Sequence, residues 1–253
     1  MQENTLKHSE YYQCDAGETY RRHMLKLRIV NVVFLILVWF AAILAVLALE
    51  KETNGEICYI LAMLFIVLIW FARRVYGVWR IKKLNEVLVL DCDAVKMYEI
   101  ITLMQRNDKK GRAHNTLALM KARCCLYIEG KWDEGLNTLN HVCFAKKVFG
   151  RELARLRLYA DFFAVKGDWQ NLSTVKSDIM NLSNELKQKK MDRDSYNKTL
   201  QYIRFYELLR DGREEEAGTL AGELMKLEAT NVLQRKVLKS YMGELKHVSY
   251  FDC

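Results

Sequence analysis

Five histidines and seven cysteines could supply metal ligands, nucleophiles or bases, but only if some of them were gathered at working spacing. They are not. His8, His23, His114, His141 and His247 are dispersed, and none has a sequence-local partner that would make it a general base. Cys14, Cys58, Cys92, Cys143 and Cys253 stand far apart, while Cys124 and Cys125 are adjacent in a helical pattern and so point in different directions. The spacing offers no disulfide framework, which suits a reducing compartment. His141-Val142-Cys143 is the nearest approach to a metal pair, and it has no companion ligands beside it. Asp91-Cys92-Asp93 reads as a helix opening, where an aspartate caps free amides and acids suit the dipole. A phosphate-cradling glycine loop, GxSxG, HExxH, CxxC pairs and an EF-hand loop are all missing from the sequence. The expectation is a chain that is not an enzyme and takes neither cofactor nor metal. An enzyme whose site is assembled from distant residues is the alternative.

Charge narrows the partners. The net charge is +8, and from residue 80 onward 31 Lys and Arg face 24 Asp and Glu. Acids interleave with the bases, as where Asp192 and Asp194 follow Lys187, Lys189 and Lys190. That pattern predicts a solvated mixed-charge surface rather than a specific nucleic-acid site. A basic surplus also gains from an anionic lipid surface, by about 1 kcal/mol per well-placed residue.

These side chains must be carried by elements, and two of those are plain. Residues 29–49 form an apolar run in which Asn31 is the only strongly polar member, long enough at 1.5 Å per residue to span about 31 Å. A second run, 57–72, extends to about residue 77 if Arg73 and Arg74 snorkel and Tyr76 and Trp79 lie at the interface. The link between them is a few polar residues, so the two spans are expected to form a hairpin. Arg21, Arg22, Lys26 and Arg28 precede the first span, and Arg73, Arg74, Arg80, Lys82 and Lys83 end or follow the second. Only Lys51 lies in the loop. Both termini are therefore expected in the cytoplasm of a cell membrane, with Arg73, Arg74, Arg80, Lys82 and Lys83 available to anionic headgroups. A cleaved signal peptide is disfavoured by the run's length and its distance into the chain. No Asp, Glu, Lys, Arg or His lies in either run, which suits an anchor better than a transporter.

The remainder predicts helices. The chain has no proline, and apolar residues recur at helical spacing, as in Leu153, Leu156, Ala160 and Phe163. The spacing predicts helices at 84–107, 113–129, 132–147, 151–166, 169–190, 194–210, 213–229 and 231–246. Three of the turns between them share a pattern. Gly130-Lys131-Trp132-Asp133-Glu134-Gly135, Gly167-Asp168-Trp169 and Gly212-Arg213-Glu214-Glu215-Glu216-Ala217 each place glycine after an apolar helix end and start a new helix at once. Glycine there ends a helix in a left-handed conformation, acids favour the next helix start, and Trp132 and Trp169 can wedge between paired helices.

These turns resemble those of the tetratricopeptide repeat (TPR) family over about residues 113–229. Gly135 and Ala217 fall at that family's small position, and Leu172 and Lys176 depart from its small and aromatic positions in the middle unit. The glycines lie 37 and 45 residues apart rather than at a uniform 34, and the closing proline is missing. A generic helical bundle with glycine turns is the competing reading.

The expected organisation is a polar N-terminal tail over 1–27, a two-helix transmembrane hairpin over 28–80, and an all-α cytoplasmic domain of helical hairpins over 84–253. The TPR resemblance implies a scaffold that binds a protein or peptide, with aromatic and basic positions of 113–129 and 151–166 as groove candidates. Aromatics such as Tyr159, Phe162, Phe163, Tyr202, Phe205 and Tyr206 could serve either packing or a groove. The alternative is a small subunit of a larger membrane complex, packed through Asn31 or an Ala41, Ala42, Ala45 and Ala48 stripe. The compact hairpin points to a bacterial membrane. Acceptor patterns at Asn171, Asn181 and Asn197 carry no meaning on the cytoplasmic side.

Overall fold

A computed structural model describes residues 8–49, 55–108, 111, 114–144, 148–185, 190–228 and 230–241. The loop at 50–54, the expected helix ends at 145–147, 186–189, 229 and 242–246, and the side chain of Ala48 lie outside the described residues. Among the described residues the chain is all-helical, and it divides into two compact units, Ser9–Glu86 and Met1–His8 with Val87–Cys253.

The first unit holds α1 (Ala16–Leu49) and most of α2 (Gly55–Val89). Both are long and apolar enough to cross a membrane, and only 6% of either apolar window is buried. Leu35, Trp39, Leu47, Leu64, Leu68 and Phe71 all face outward, a surface that water would not tolerate on a globular core helix. Leu49 and Gly55 are separated by five residues, so the end of α1 and the start of α2 are close. At the other end, His23 Nδ1 lies 3.5 Å from Arg80 Nη2. Joined at both ends, the helices run antiparallel. Ala41 and Ala45, one helical turn apart, are buried, whereas Ala42 is exposed.

One expectation changes here, and one question that the sequence left open is answered. Residues 8–27 of the polar tail are structured from His8 onward. Asp15 caps α1, its Oδ1 accepting from the Glu18 amide at 2.7 Å, and Tyr11 is buried. Arg80, expected at headgroups, is 1% exposed. Its guanidinium donates to Glu10 Oε1 at 2.6 Å and to the Tyr11 hydroxyl, and Lys26 shares Glu10 at 3.0 Å. Burial alone would raise the Glu10 pKa, but hydrogen bonds from Tyr11, Lys26 and Arg80 hold it down at about 2. The turn before α1 folds over Arg80, a long-range contact that local spacing cannot announce. Arg73, Arg74 and Lys82 remain exposed.

In the second unit the predicted helix 84–107 is broken. α2 ends at Val89 and α3 (Ala94–Asn107) restarts after Cys92, whose φ is +57°. Asp93 supplies the cap, with Oδ1 accepting from the Lys96 amide at 2.8 Å, as the acids of 91–93 suggested. No glycine or proline marks the break, so spacing ran through it.

Then come α4 (His114–Cys125), α5 (Trp132–Asn140), α6 (Phe149–Lys166), α7 (Trp169–Glu185), α8 (Lys190–Arg210), α9 (Glu214–Leu227) and α10 (Val232–Tyr241). The pairs α4/α5, α6/α7 and α8/α9 pack against each other across short connections and so fold back as hairpins. Gly130, Gly167 and Gly212 have φ of +72°, +70° and +70°, the left-handed conformation expected of all three. The second and third turns share one geometry, Asp168 N–H donating to Phe163 O at 2.8 Å and Arg213 N–H to Leu208 O at 3.0 Å. The first differs: α4 stops at Cys125, short of the predicted 129, and residues 126–130 wind as turns. α5 likewise stops at Asn140, short of the predicted 147.

Gly135 is required by approach rather than by torsion. A Cβ there would meet Phe162 Cζ at 2.3 Å and Cys125 Cβ at 2.9 Å, so α4, α5 and α6 close around a bare backbone. Ala217 is 2% exposed and sits within the core formed by residues such as Leu153, Ile179, Phe205 and Leu224. Nearby, Glu134 draws α3, α4 and α5 together through Tyr98 at 2.6 Å, Lys121 at 2.8 Å and Lys131 at 2.9 Å. Burial opposes ionisation of Glu134, yet these donors hold its pKa at about 2.

Gly135→Ala is expected to cost about 1–3 kcal/mol through overpacking, whereas Gly218→Ala, with open space at its Cβ on α9, should be stabilising by about 0.5–1 kcal/mol. Thermal unfolding of the full chain in detergent reads both. The stability that Glu134 supplies is present above its unfolded value of 4.5 and is lost as pH falls toward about 2. Comparing wild type with Glu134→Gln over that window should show the variant's pH slope reduced.

Candidate functional site

Two of the turns singled out by sequence meet in one place. Trp132 at the start of α5, Gly167 between α6 and α7, and Trp169 at the start of α7 line an open groove of about 580 Å³. Ala164 and Val165 from the end of α6, Tyr206 and Leu209 from α8, and Tyr241 from α10 complete its apolar wall. Lys166 and Arg210 also line it. Each is engaged by a neighbouring acid, Lys166 with Asp133 at 2.7 Å and Arg210 with Asp211 at 2.7 Å.

The placement has local causes. A left-handed glycine lets α7 begin with only two residues between it and the end of α6, so Trp169 is delivered beside the α6 terminus. Trp132 is held by its indole Nε1, which donates to Leu126 O at 3.2 Å. The other turn residues serve elsewhere: Gly135 lies against Phe162, Ala217 lies in the core, and Gly130 and Gly212 do not line the groove.

The aromatics divide between the two roles left open by sequence. Phe162, Tyr202 and Phe205 are core residues at 0–1% exposure, and Tyr159 and Phe163 stack at 6.0 Å. Tyr206 reaches both environments. It lines the groove, and its hydroxyl donates to Asp161 Oδ1 at 2.8 Å.

That bond opens onto a buried polar centre that sequence reasoning missed. Asp161 lies 4.0 Å from Arg157 Nε, and Arg157 covers the Tyr202 ring with its guanidinium 4.2 Å from the centroid. The Tyr202 hydroxyl donates to Glu228 Oε1 at 3.2 Å, and Lys198 pairs with the same oxygen at 2.6 Å. Burial pushes the Asp161 carboxyl above its usual range, against Arg157 and Tyr206, which favour the charged form. The spacing of Arg157 and Asp161 was a legible i,i+4 pair, but Glu228 joins from far along the chain.

Other candidates disperse. His141 and Cys143 are both exposed, and the His141 ring donates from Nδ1 to Asn137 O at 2.7 Å. Cys14, Cys92, Cys124, Cys125 and Cys143 form no disulfide among the described residues, and burial pushes Cys125 up to about 11. Among the described residues no group of three His, Cys, Asp or Glu could hold a metal. The groove is apolar, with cation–acid pairs beside it. The chain matches no protein family, no curated protein and no solved structure.

Tyr206→Phe leaves Asp161 without its nearest donor and should cost about 1–3 kcal/mol near pH 7. Because the raised Asp161 pKa means the folded state holds its proton more tightly, that carboxyl favours folding below its unfolded value and loses the advantage as pH rises. The variant's deficit should therefore shrink on lowering the pH to about 4, measured by denaturant titration.

Proposed function

We propose that this chain is a membrane-anchored helical-repeat adaptor, whose TPR-like domain binds an apolar or aromatic segment of another protein in the groove between Trp132 and Trp169. The observation that carries this reading is the convergence of two turn tryptophans on an open apolar groove. Rigid aromatic rings flanking an open groove give contact area at low entropic cost, the usual basis of peptide recognition on stacked helices. The turn geometry shared by Gly167 and Gly212 supports the repeat resemblance.

Anchoring rests on α1 and α2. Their apolar side chains are exposed along almost the whole length, which a bilayer accommodates and water does not. Arg28 on α1 and Arg73 and Arg74 on α2 fall near one level, because His23 and Arg80 fix the register and both stretches lie five to seven residues further along. From that level to the loop is about 31 Å, the thickness of a hydrocarbon core. Both termini then lie on the basic, cytoplasmic side of a cell membrane, with Arg73, Arg74 and Lys82 available to headgroups. The alternative of a subunit assembled through its alanine stripe is weakened by the burial of Ala41 and Ala45 within the unit itself.

The test is a crosslinking capture from native membranes with the full chain, with Trp132→Ala/Trp169→Ala, and with a chain lacking residues 84–253. The proposal expects one specific protein retained by the full chain and lost from both others, while all three stay in the membrane on alkaline extraction. If the truncated chain captures the same proteins as the full chain, the hairpin carries the interaction. If the tryptophan variant does, the groove is not the binding surface.

A further inference from the structure

One residue that lines the groove of Trp132 and Trp169 also ends the last described helix. Tyr241 closes α10 and forms part of the apolar wall, and residues 242–253 follow it outside the described residues. That stretch therefore begins at the groove's own lining. Among the segments outside the described residues it alone contains aromatic side chains, Tyr250 and Phe251, with Leu245 and Val248 before them.

Chemistry and reach both match. Four aromatic residues line the groove, Trp132, Trp169, Tyr206 and Tyr241, and aromatic pairs attract by more than their buried area. Its volume of about 580 Å³ falls within the roughly 300–1,000 Å³ of ligand pockets. Charge has no part in the match. Lys166 and Arg210 are already paired with Asp133 and Asp211, so recognition is left to apolar and aromatic contact. Tyr250 lies nine residues beyond Tyr241, a tether that extends to about 30 Å at most and spans about 15–18 Å on average as a coil. So short a tether holds its segment at an effective concentration of about 1 mM.

We propose that residues 245–251 of this chain dock in the groove in cis and hold it against outside ligands until a partner displaces them. The inference rests on the reading of the groove as a peptide-binding surface, and it adds the regulation of that surface. At about 1 mM, a segment with a dissociation constant of about 0.1 mM fills its site about 90% of the time and weakens any competitor about tenfold. A modest intrinsic affinity is therefore enough to make the chain its own competitor.

The probe is a fluorescein-labelled peptide of residues 244–252, titrated by fluorescence anisotropy into the full chain in phosphatidylcholine nanodiscs. Saturable binding to Tyr250→Ser/Phe251→Ser is expected below about 1 mM, with wild type about tenfold weaker. Adding Trp132→Ala/Trp169→Ala to that variant should abolish binding while leaving its helicity by circular dichroism unchanged. A second measurement replaces one residue of the wild-type chain, Phe251→p-benzoylphenylalanine. Irradiation should give a monomeric product crosslinked to a groove residue. Wild type binding as tightly as Tyr250→Ser/Phe251→Ser, no saturable binding by either, or binding that survives loss of the tryptophans would each overturn the proposal. So would a crosslinked dimer, which assigns the groove to the same segment of a second copy. Neither readout needs an outside partner. Failure of partner capture beside a positive peptide and crosslink result sinks only the adaptor reading, and the reverse sinks only this inference.

Discussion

A helix with one apolar stripe is stable in water only when something covers that stripe, and this requirement organises the whole second unit. The chain meets it by turning back quickly. Left-handed glycines at 167 and 212 end one helix and allow the next to begin within a few residues, so each stripe is covered by its sequence neighbour. Closeness then has a limit that only a missing side chain satisfies, which is why Gly135 sits beneath Phe162. The tryptophans at the helix starts cannot follow the stripes into the core, and they line the groove outside it.

The first unit answers the opposite problem. Its helices are apolar on nearly every face, so a partner helix cannot cover them, and a surrounding hydrocarbon phase can. What needs arranging there is charge. Arg80 could have faced solvent or phosphate, yet it lies under Tyr11 with Glu10 as its counter-ion, and Arg80 Nε and His23 Nε2 have no partner among the described residues. Breaking such a buried pair from one side leaves an uncompensated charge, and that penalty makes the N-terminal turn and the base of α2 depend on each other.

The same principle operates around Asp161, Arg157 and Glu228. A carboxylate buried among rings is held by one cation at 4.0 Å and one tyrosine hydroxyl. Tyr206 both lines the groove and donates to Asp161, so the groove and this centre share a side chain. The groove is therefore backed by a polar network as well as by apolar packing.

How much of this was legible in sequence depends on the range of the physics involved. Composition and period alone determined the all-helical fold and the two apolar runs, because both signals are carried within a few turns. The left-handed glycines at 130, 167 and 212, the cap at Asp93 and the small positions at Gly135 and Ala217 were readable for the same local reason. Only the tertiary structure decided that Arg80 is buried, that helix 84–107 breaks at Cys92, that Trp132 and Trp169 share one groove with Tyr241, and that Glu228 joins Asp161. Each of these depends on residues brought together from tens of positions away or, at Cys92, on a backbone bend with no glycine or proline to mark it. Local spacing holds no record of such contacts, since their energies arise only once the helices have packed.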